Sequence, residues 1–308
     1  MLGAVHEHHT VGSSTDANRR RLTIALGLIV GFMAVEVIAG VLASSLALVS
    51  DAAHMLTDAG ALILSLVALR LAARPAHGNL TFGLKRAEIL SAQANGAVLL
   101  VLAGLIVYEA VRRLIEPADV GGWAFVLVAL GGLAVNLVAT RQVALADRDN
   151  MAVEGSFRHL LTDLYAFAGT LVAGIVVVAT GFDRADPIAS LLVAGLMLWA
   201  AYGLLRDSGR ILLEMSPQGL DVEQIGQALA DHPHVSSVHD LHVWQISSGF
   251  PALSAHVLVP PGDDCHGIRR ELEQLLAARF GVEHTTLQVD HERSRELLSV
   301  ESLQTQER

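Results

Sequence analysis

Six apolar runs, each long enough to cross a bilayer, constrain this chain more than any other feature. A hydrocarbon core of about 30 Å is spanned by about 20 apolar residues of helix. Such runs occupy residues 22–42, 45–72, 89–111, 121–143, 158–181 and 187–209. Turn and charge signals separate them, among them Arg74-Pro75 with Gly78-Asn79, Glu116-Pro117 with Gly121-Gly122, and Gly181-Phe182-Asp183 with Asp186-Pro187. Composition points the same way. Charged residues make up 17% of the chain, against about 25% in ordinary soluble domains, and mean hydropathy is +0.48.

Lysine and arginine collect on the cytoplasmic side of membrane proteins. Here Arg19, Arg20 and Arg21 precede the first run, and Arg70, Arg74, Lys85 and Arg86 lie between the second and third. Arg141, Arg148 and Arg158 lie between the fourth and fifth, and Arg206 and Arg210 close the sixth. The opposite side holds Arg112, Arg113 and Arg184. The pattern predicts an integral membrane protein with both termini cytoplasmic; a bacterial inner (plasma) membrane is the expected location. The polar start lacks the short apolar core of a cleaved signal peptide.

Charge is unevenly spread. Residues 1–211 carry 15 basic and 16 acidic side chains, a net of −1, whereas residues 212–308 carry 6 and 15, a net of −9. This predicts four parts: a histidine-containing segment 1–20, a transmembrane domain 21–211, an acidic cytoplasmic domain 212–291 and a flexible tail 292–308. The overall charge of −10 argues against nucleic acid, whose binders need a basic face. The single cysteine, Cys265, excludes an internal disulfide and a cysteine-rich zinc site.

Asp51, His54 and Asp58 sit inside the second run, where a carboxylate at a span centre costs about 2.5–3.5 kcal/mol. His54 and Asp58 are four apart, so they lie one turn apart on one helix face. The fifth run repeats the spacing with His159 and Asp163. Two facing pairs would supply two imidazole nitrogens and two carboxylate oxygens, a tetrahedral His₂Asp₂ set suited to Zn²⁺. The competing reading is a polar bridge between helices. Asp51 reads equally as a cap or hydrogen-bonding residue and as a metal contact. Glu36, Glu109, Asn95 and Asn136 read as inter-helix hydrogen-bonding groups. Counted from the outer ends of the two spans, the pairs differ in depth by ~12 Å at 1.5 Å per residue.

Residues 212–291 read as helix, strand, strand, helix, strand, with helices at 220–231 and 266–280 and strands at 235–247, 252–259 and 284–290. The predicted fold is therefore an all-α, six-helix membrane domain followed by a small α+β (αββαβ, ferredoxin-like) domain.

These segments resemble the cation diffusion facilitators, in their zinc-transporting branch, over residues 20 to 291. The resemblance is carried by Ser45-Leu-Ala-Leu-Val-Ser-Asp-Ala-Ala-His-Met-Leu-Thr-Asp58, Thr81-Phe-Gly-Leu-Lys-Arg-Ala-Glu-Ile-Leu90 and Gly155-Ser-Phe-Arg-His-Leu-Leu-Thr-Asp163. In the soluble part it is carried by Val238-His-Asp-Leu-His-Val-Trp-Gln-Ile-Ser-Ser248, Ser254-Ala-His256 and Thr286-Leu-Gln-Val-Asp290. It implies a homodimeric secondary transporter that exports Zn²⁺, with Cd²⁺, Co²⁺ or Fe²⁺ as further cargo, in exchange for protons and with no organic cofactor. His54, Asp58, His159 and Asp163 match the family's transport site. His239, His256 and Asp290 match its cytoplasmic metal positions, which His266, His284 and the amino-terminal His6, His8 and His9 would complete. His242 and Trp244 are expected on the strand face of His239, Trp244 as packing. His232, His234 and His291 read as surface histidines. The loop from Arg141 to Phe157 lacks the histidine-rich tract of some relatives, and the loop before the third span offers only His77. Two other readings are an intramembrane metalloenzyme, for which no HExxH motif occurs, and a membrane-anchored metal sensor.

Overall fold

A computed structural model describes residues 11–42, 46–115, 122–182 and 184–292, of which 11–15, 39–42, 46–54, 122–129 and 186 are described by their backbone alone. The amino-terminal histidines and the segment after 292 lie outside the described residues. The chain divides into two compact units, with the break between Leu213 and Glu214 and with residues 246–249 grouped with the first unit.

The first unit is all-helical. Its helices are α1 (Val11–Leu42), α2 (Leu46–Ala72), α3 (Ala87–Ile115), α4 (Gly122–Ala144), α5 (Met151–Thr180) and α6 (Ala185–Leu212). Among the described residues, five of these are long and apolar enough to cross a membrane, at Asp16–Ile38, Met55–Ala72, Ala87–Ile115, Met151–Thr180 and Pro187–Leu212. The ends of α2, α4 and α6 meet the starts of α1, α3 and α5 at one end of the bundle, where the Asp147 N–H bonds to Asn18, Asn95 bonds to Ser65, and Arg158 pairs with Asp207. That end leads into the second unit and is called the tail end below.

Two helices begin earlier than hydropathy suggests. α5 starts at Met151 because Asn150 caps it, its side chain accepting from the backbone N–H groups of Ala152 and Val153. The polar first turn is also held by Glu154, which pairs with Arg158 at 2.7 Å and with Arg148 at 2.9 Å. Apolarity therefore marks the membrane-facing length of a helix, and capping marks its true start. α1 likewise begins in polar sequence, where Arg19 pairs with Asp16 one turn earlier at 3.6 Å.

The bundle core gathers Leu22, Ala25 and Ile29 of α1, Ala59, Leu62 and Leu66 of α2, Ala139 and Val143 of α4, and Ala152, Val153 and Leu160 of α5. Small residues let helices approach closely, as in membrane bundles generally. A Cβ at Gly132 would lie 2.4 Å from the Phe167 ring, so α4 and α5 meet there only because position 132 has no side chain. Asn95 reaches across to Ser65 at 3.3 Å, an inter-helix bond as expected. Asn136 accepts from Thr140 of its own helix at 3.2 Å, and Thr140 in turn lies 3.3 Å from the Leu160 carbonyl of α5. Asn136 thus bonds within its own helix rather than between helices, and Glu109 likewise departs from the expectation. It is partly exposed and pairs with Arg113 at 2.9 Å and Arg112 at 3.6 Å on its own helix.

The second unit is built on α7 (Val222–Ala230), β1 (Ser237–Ser247, less its last two residues), β2 (Phe250–Val259), α8 (Cys265–Phe280) and β3 (His284–His291). The sheet order is β1-β2-β3, with β2 and β3 parallel. Leu253, Ala255, Val257 and Val259 alternate along β2 and pack with Ile225 and Leu229 of α7 and Ile268, Leu272 and Leu276 of α8. One sheet face is thus covered by both helices. His256, at the intervening parity, belongs to the other face.

Strict alternation along β1 would separate His242 and Trp244 from His239. The backbone of Asp240 has φ +54°, which inserts an extra residue into the alternation in the manner of a β-bulge. Val238, Leu241 and Val243 consequently all pack on the core, leaving His239, His242 and Trp244 together on the open face.

Candidate metal centre and its relatives

α2 and α5 each bring a carboxylate to the same level of the bundle. Counted from the tail end, Asp58 lies about four helical turns from the end of α2 at Ala72, and Asp163 lies a little over three turns from the start of α5 at Met151. The difference corresponds to ~3 Å of helix rise. The depth mismatch expected from the outer ends arises because α5 continues for nearly five turns beyond Asp163, to Thr180, whereas α2 begins only about three turns before Asp58, at Leu46.

The result is a three-residue group. His159 Nε2 is 3.1 Å from Asp58 Oδ1 and 3.8 Å from Asp163 Oδ2. The side chains are 1%, 1% and 2% exposed for His159, Asp58 and Asp163. Among the described residues this is the one group of three or more histidine, cysteine, aspartate or glutamate side chains with ligand atoms within 4.8 Å of one another. Asp58 Oδ2 and His159 Nδ1 are buried with no hydrogen-bond partner among the described residues. Buried polar atoms are almost always satisfied, so donors left over in a carboxylate–imidazole group suit a cation. His54 and Asp51 lie on α2, but their side chains fall outside the described residues.

In the second unit the His239 and His256 rings meet edge to face, with centroids 5.3 Å apart. Asp240 comes within 4.0 Å of His256 Nε2 and takes a hydrogen bond of 2.9 Å from His242. That bond, together with the nearby imidazoles, holds the Asp240 carboxyl below the usual aspartate range. Asp290 stands opposite Leu258, two residues past His256, on the same sheet face, and its carboxylate accepts from Gln288 at 2.7 Å. His284 stands opposite Ala252, four residues from His256 along β2 and so ~13 Å away, with its ring against Phe250. His266 is exposed in the first turn of α8, where its backbone N–H binds the cap residue Asp264. Backbone N–H groups of Gly267 and His266 hold the Asp264 carboxyl below its ordinary value. The sheet thus brings His239 and His256 together, puts Asp290 on their face, and separates His284.

Sequence reasoning passed over three buried serines near the metal group: Ser65, Ser91 and Ser156. A hydroxyl barely changes the hydropathy of a long apolar run. Their signal is spacing, since Ser65 follows Asp58 by seven residues and Ser156 precedes Asp163 by seven.

Residues 22–213 match the family model of the cation efflux transmembrane domain, and residues 217–292 match that of the cation efflux protein cytoplasmic domain. The chain belongs to the cation efflux family. A cadmium, cobalt and zinc/H⁺-K⁺ antiporter of Bacillus subtilis (strain 168) is 38% identical over 281 residues, covering 90% of both chains. Zinc transporter ZitB of Escherichia coli (strain K12) is 36% identical over 289 residues, covering 93% of this chain and 92% of the relative. A solved metal-bound C-terminal domain of the CzcD transporter shares 32% identity over 23% of this chain and 97% of its own, with a TM-score of 0.22. Members of the cation efflux family are membrane transporters, so the chain is an integral membrane transporter and not an enzyme.

Proposed function

We propose that this transporter exports Zn²⁺ from the cytoplasm, with Cd²⁺, Co²⁺ and Fe²⁺ as alternative cargo, in exchange for protons. Asp58, His159 and Asp163 hold the ion together with His54, the histidine one turn from Asp58. The observation that carries this reading is the buried Asp58–His159–Asp163 group formed across two membrane helices. Ionisable groups at such depth are costly, and in membrane proteins they mark ion pathways. The relatives named as zinc transporters and as an H⁺-coupled antiporter support the same cargo and coupling.

Coupling follows from the donor chemistry. An imidazole binds metal only when neutral, and a carboxylate only when ionised, so protons and metal compete for the same atoms. Histidine exchanges protons near neutral pH. An ion bound from the cytoplasm is displaced when the centre faces a more acidic exterior, and the protonated centre returns inward. The tail end of the bundle, rich in arginine, is then cytoplasmic, all six helices span the membrane, and both termini are inside the cell.

The acidic domain of residues 212–291 binds metal through His239, His256 and Asp290, with His266 a further candidate donor. Two imidazoles already in ring contact and a carboxylate on the same sheet face suit a divalent cation. The match to the family's cytoplasmic-domain model supports assembly as a homodimer through this domain.

Reconstituted vesicles test the reading. Zinc flux is expected to fall when the pH gradient is dissipated and to vanish in Asp58→Ala. Flux indifferent to both would falsify it.

A further inference from the structure

Between the metal group and the tail end lies a second buried polar cluster that metal binding does not use. Ser156 of α5 donates to Ser65 Oγ of α2 at 2.8 Å, and Asn95 of α3 donates to the same oxygen at 3.3 Å. Ser91 Oγ of α3 is 3.3 Å from Ser65 Oγ. All four side chains are at most 2% exposed. Seven residues of helix separate Ser65 from Asp58, and seven separate Ser156 from Asp163. That is nearly two full turns, so each serine lies on the helix face of its carboxylate, ~10 Å closer to the tail end.

The backbone closes in at the same level. A Cβ at Gly155 would sit 3.3 Å from the Ala92 Cα and 3.4 Å from the Asn95 amide nitrogen. Helices α3 and α5 therefore touch without an intervening side chain, and no hydrated ion fits between them.

We propose that Ser65, Ser91, Asn95 and Ser156 form the inner gate of the transport path. This rests on the transport reading above. Closed, the four groups satisfy one another and join α2, α3 and α5. Parted, the same oxygens turn toward the passing ion and take the place of part of its water. An apolar plug would exclude the ion as well, but would offer it nothing on the way through. Neutral groups suit the task because they do not trap a divalent cation before it reaches the charged centre.

A cross-link tests the gate. In a Cys265→Ser background, which removes the one native thiol, Ser65→Cys and Ser156→Cys place two thiols where the hydroxyls now bond. Oxidation of this protein in zinc-loaded vesicles is expected to stop flux, and reduction of the same sample to restore it. A pair that fails to cross-link, or a cross-linked protein that moves zinc at its reduced rate, overturns the proposal. A second measurement stands apart from flux: labelling of the single Ser156→Cys thiol by an impermeant maleimide applied from the tail side. Labelling is expected to be slow, and to accelerate several-fold when Asn95→Ala removes one partner. Equal rates with and without Asn95→Ala overturn the gate. If the parent protein moves no metal in vesicles, the transport reading has failed, and the labelling rates still decide the gate.

Discussion

The Asp58–His159–Asp163 group is at most 2% exposed, whereas the His256 and Asp240 side chains beside His239 are 44% and 58% exposed. Both regions offer imidazole and carboxylate. In the helices, a charge that loses its partner has no water to turn to, and breaking a buried pair costs about 3–5 kcal/mol. On the sheet face water replaces any lost ligand at little cost. The buried group is thus suited to an ion it must hold fully and release only against protons. The open face is suited to an ion it samples as the surrounding concentration changes.

The largest expected contrast comes from making one chemical change in both regions. Asp58→Asn keeps the shape but removes the charge that meets His159, and zinc flux is expected to fall by more than about 100-fold, since even groups that only support a ligand are worth about 10–100-fold. Asp240→Asn is expected to leave flux near the parental level, because asparagine tolerates the positive φ and the group faces solvent. Equal losses in the two variants would erase the distinction.

A smaller effect is expected from the double change His239→Ala with His256→Ala. Titration of full-length protein with Zn²⁺ should show the tail affinity weakened by about 10-fold or more, while vesicle flux persists. A tail affinity that does not move would remove these histidines from the metal face.

Next comes the cap that sets the start of α5. Asn150→Ala is expected to lower stability by about 1 kcal/mol, read as a fall in melting temperature of the detergent-solubilised protein. Asn150→Ser, which keeps a capping oxygen without setting a second carboxylate against Glu88, should recover part of the loss. Equal melting of all three forms would show that α5 is held by packing alone.

The smallest effect concerns acid. Asp240 and Asp264 have carboxyl pKa values lowered by folding. Their contribution is present above the unfolded aspartate value of about 3.9 and is lost as pH falls through the folded value. Asp264→Ser keeps a capping oxygen while removing the charge, so its melting temperature should lie slightly below the parent's near neutrality, fall less steeply as pH drops, and converge with the parent's in acid. A steeper acid slope in the variant would reverse the sign assigned here.

Hydropathy and spacing make much of the molecule legible. Periodic apolar length reports α2 and α6 to within a few residues, because those helices are apolar nearly throughout. It fails at the start of α5, where the Asn150 cap and the Glu154–Arg158 pair stabilise a turn that reads as polar loop. The four-residue spacing of His159 and Asp163 announces a shared face, but the meeting of α5 with α2 depends on levels set at the tail end of both helices. Asp240 shows the opposite limit, since its bulge rather than strict alternation unites His239 with His242. The serine gate is the least legible part, because hydroxyls are nearly silent in an apolar run. Its three hydrogen bonds at about 0.6 kcal/mol each inside a membrane amount to only ~2 kcal/mol, weak enough to open in every cycle.

The central claim is that donors from two membrane helices close on one dehydrated divalent ion. The optical spectrum of Co²⁺ bound to full-length protein carrying His239→Ala and His256→Ala tests it most directly. The account predicts the intense visible bands of a tetrahedral nitrogen–oxygen site, lost when Asp163→Ala is added. Weak octahedral bands, or a tetrahedral spectrum that survives Asp163→Ala, would contradict it.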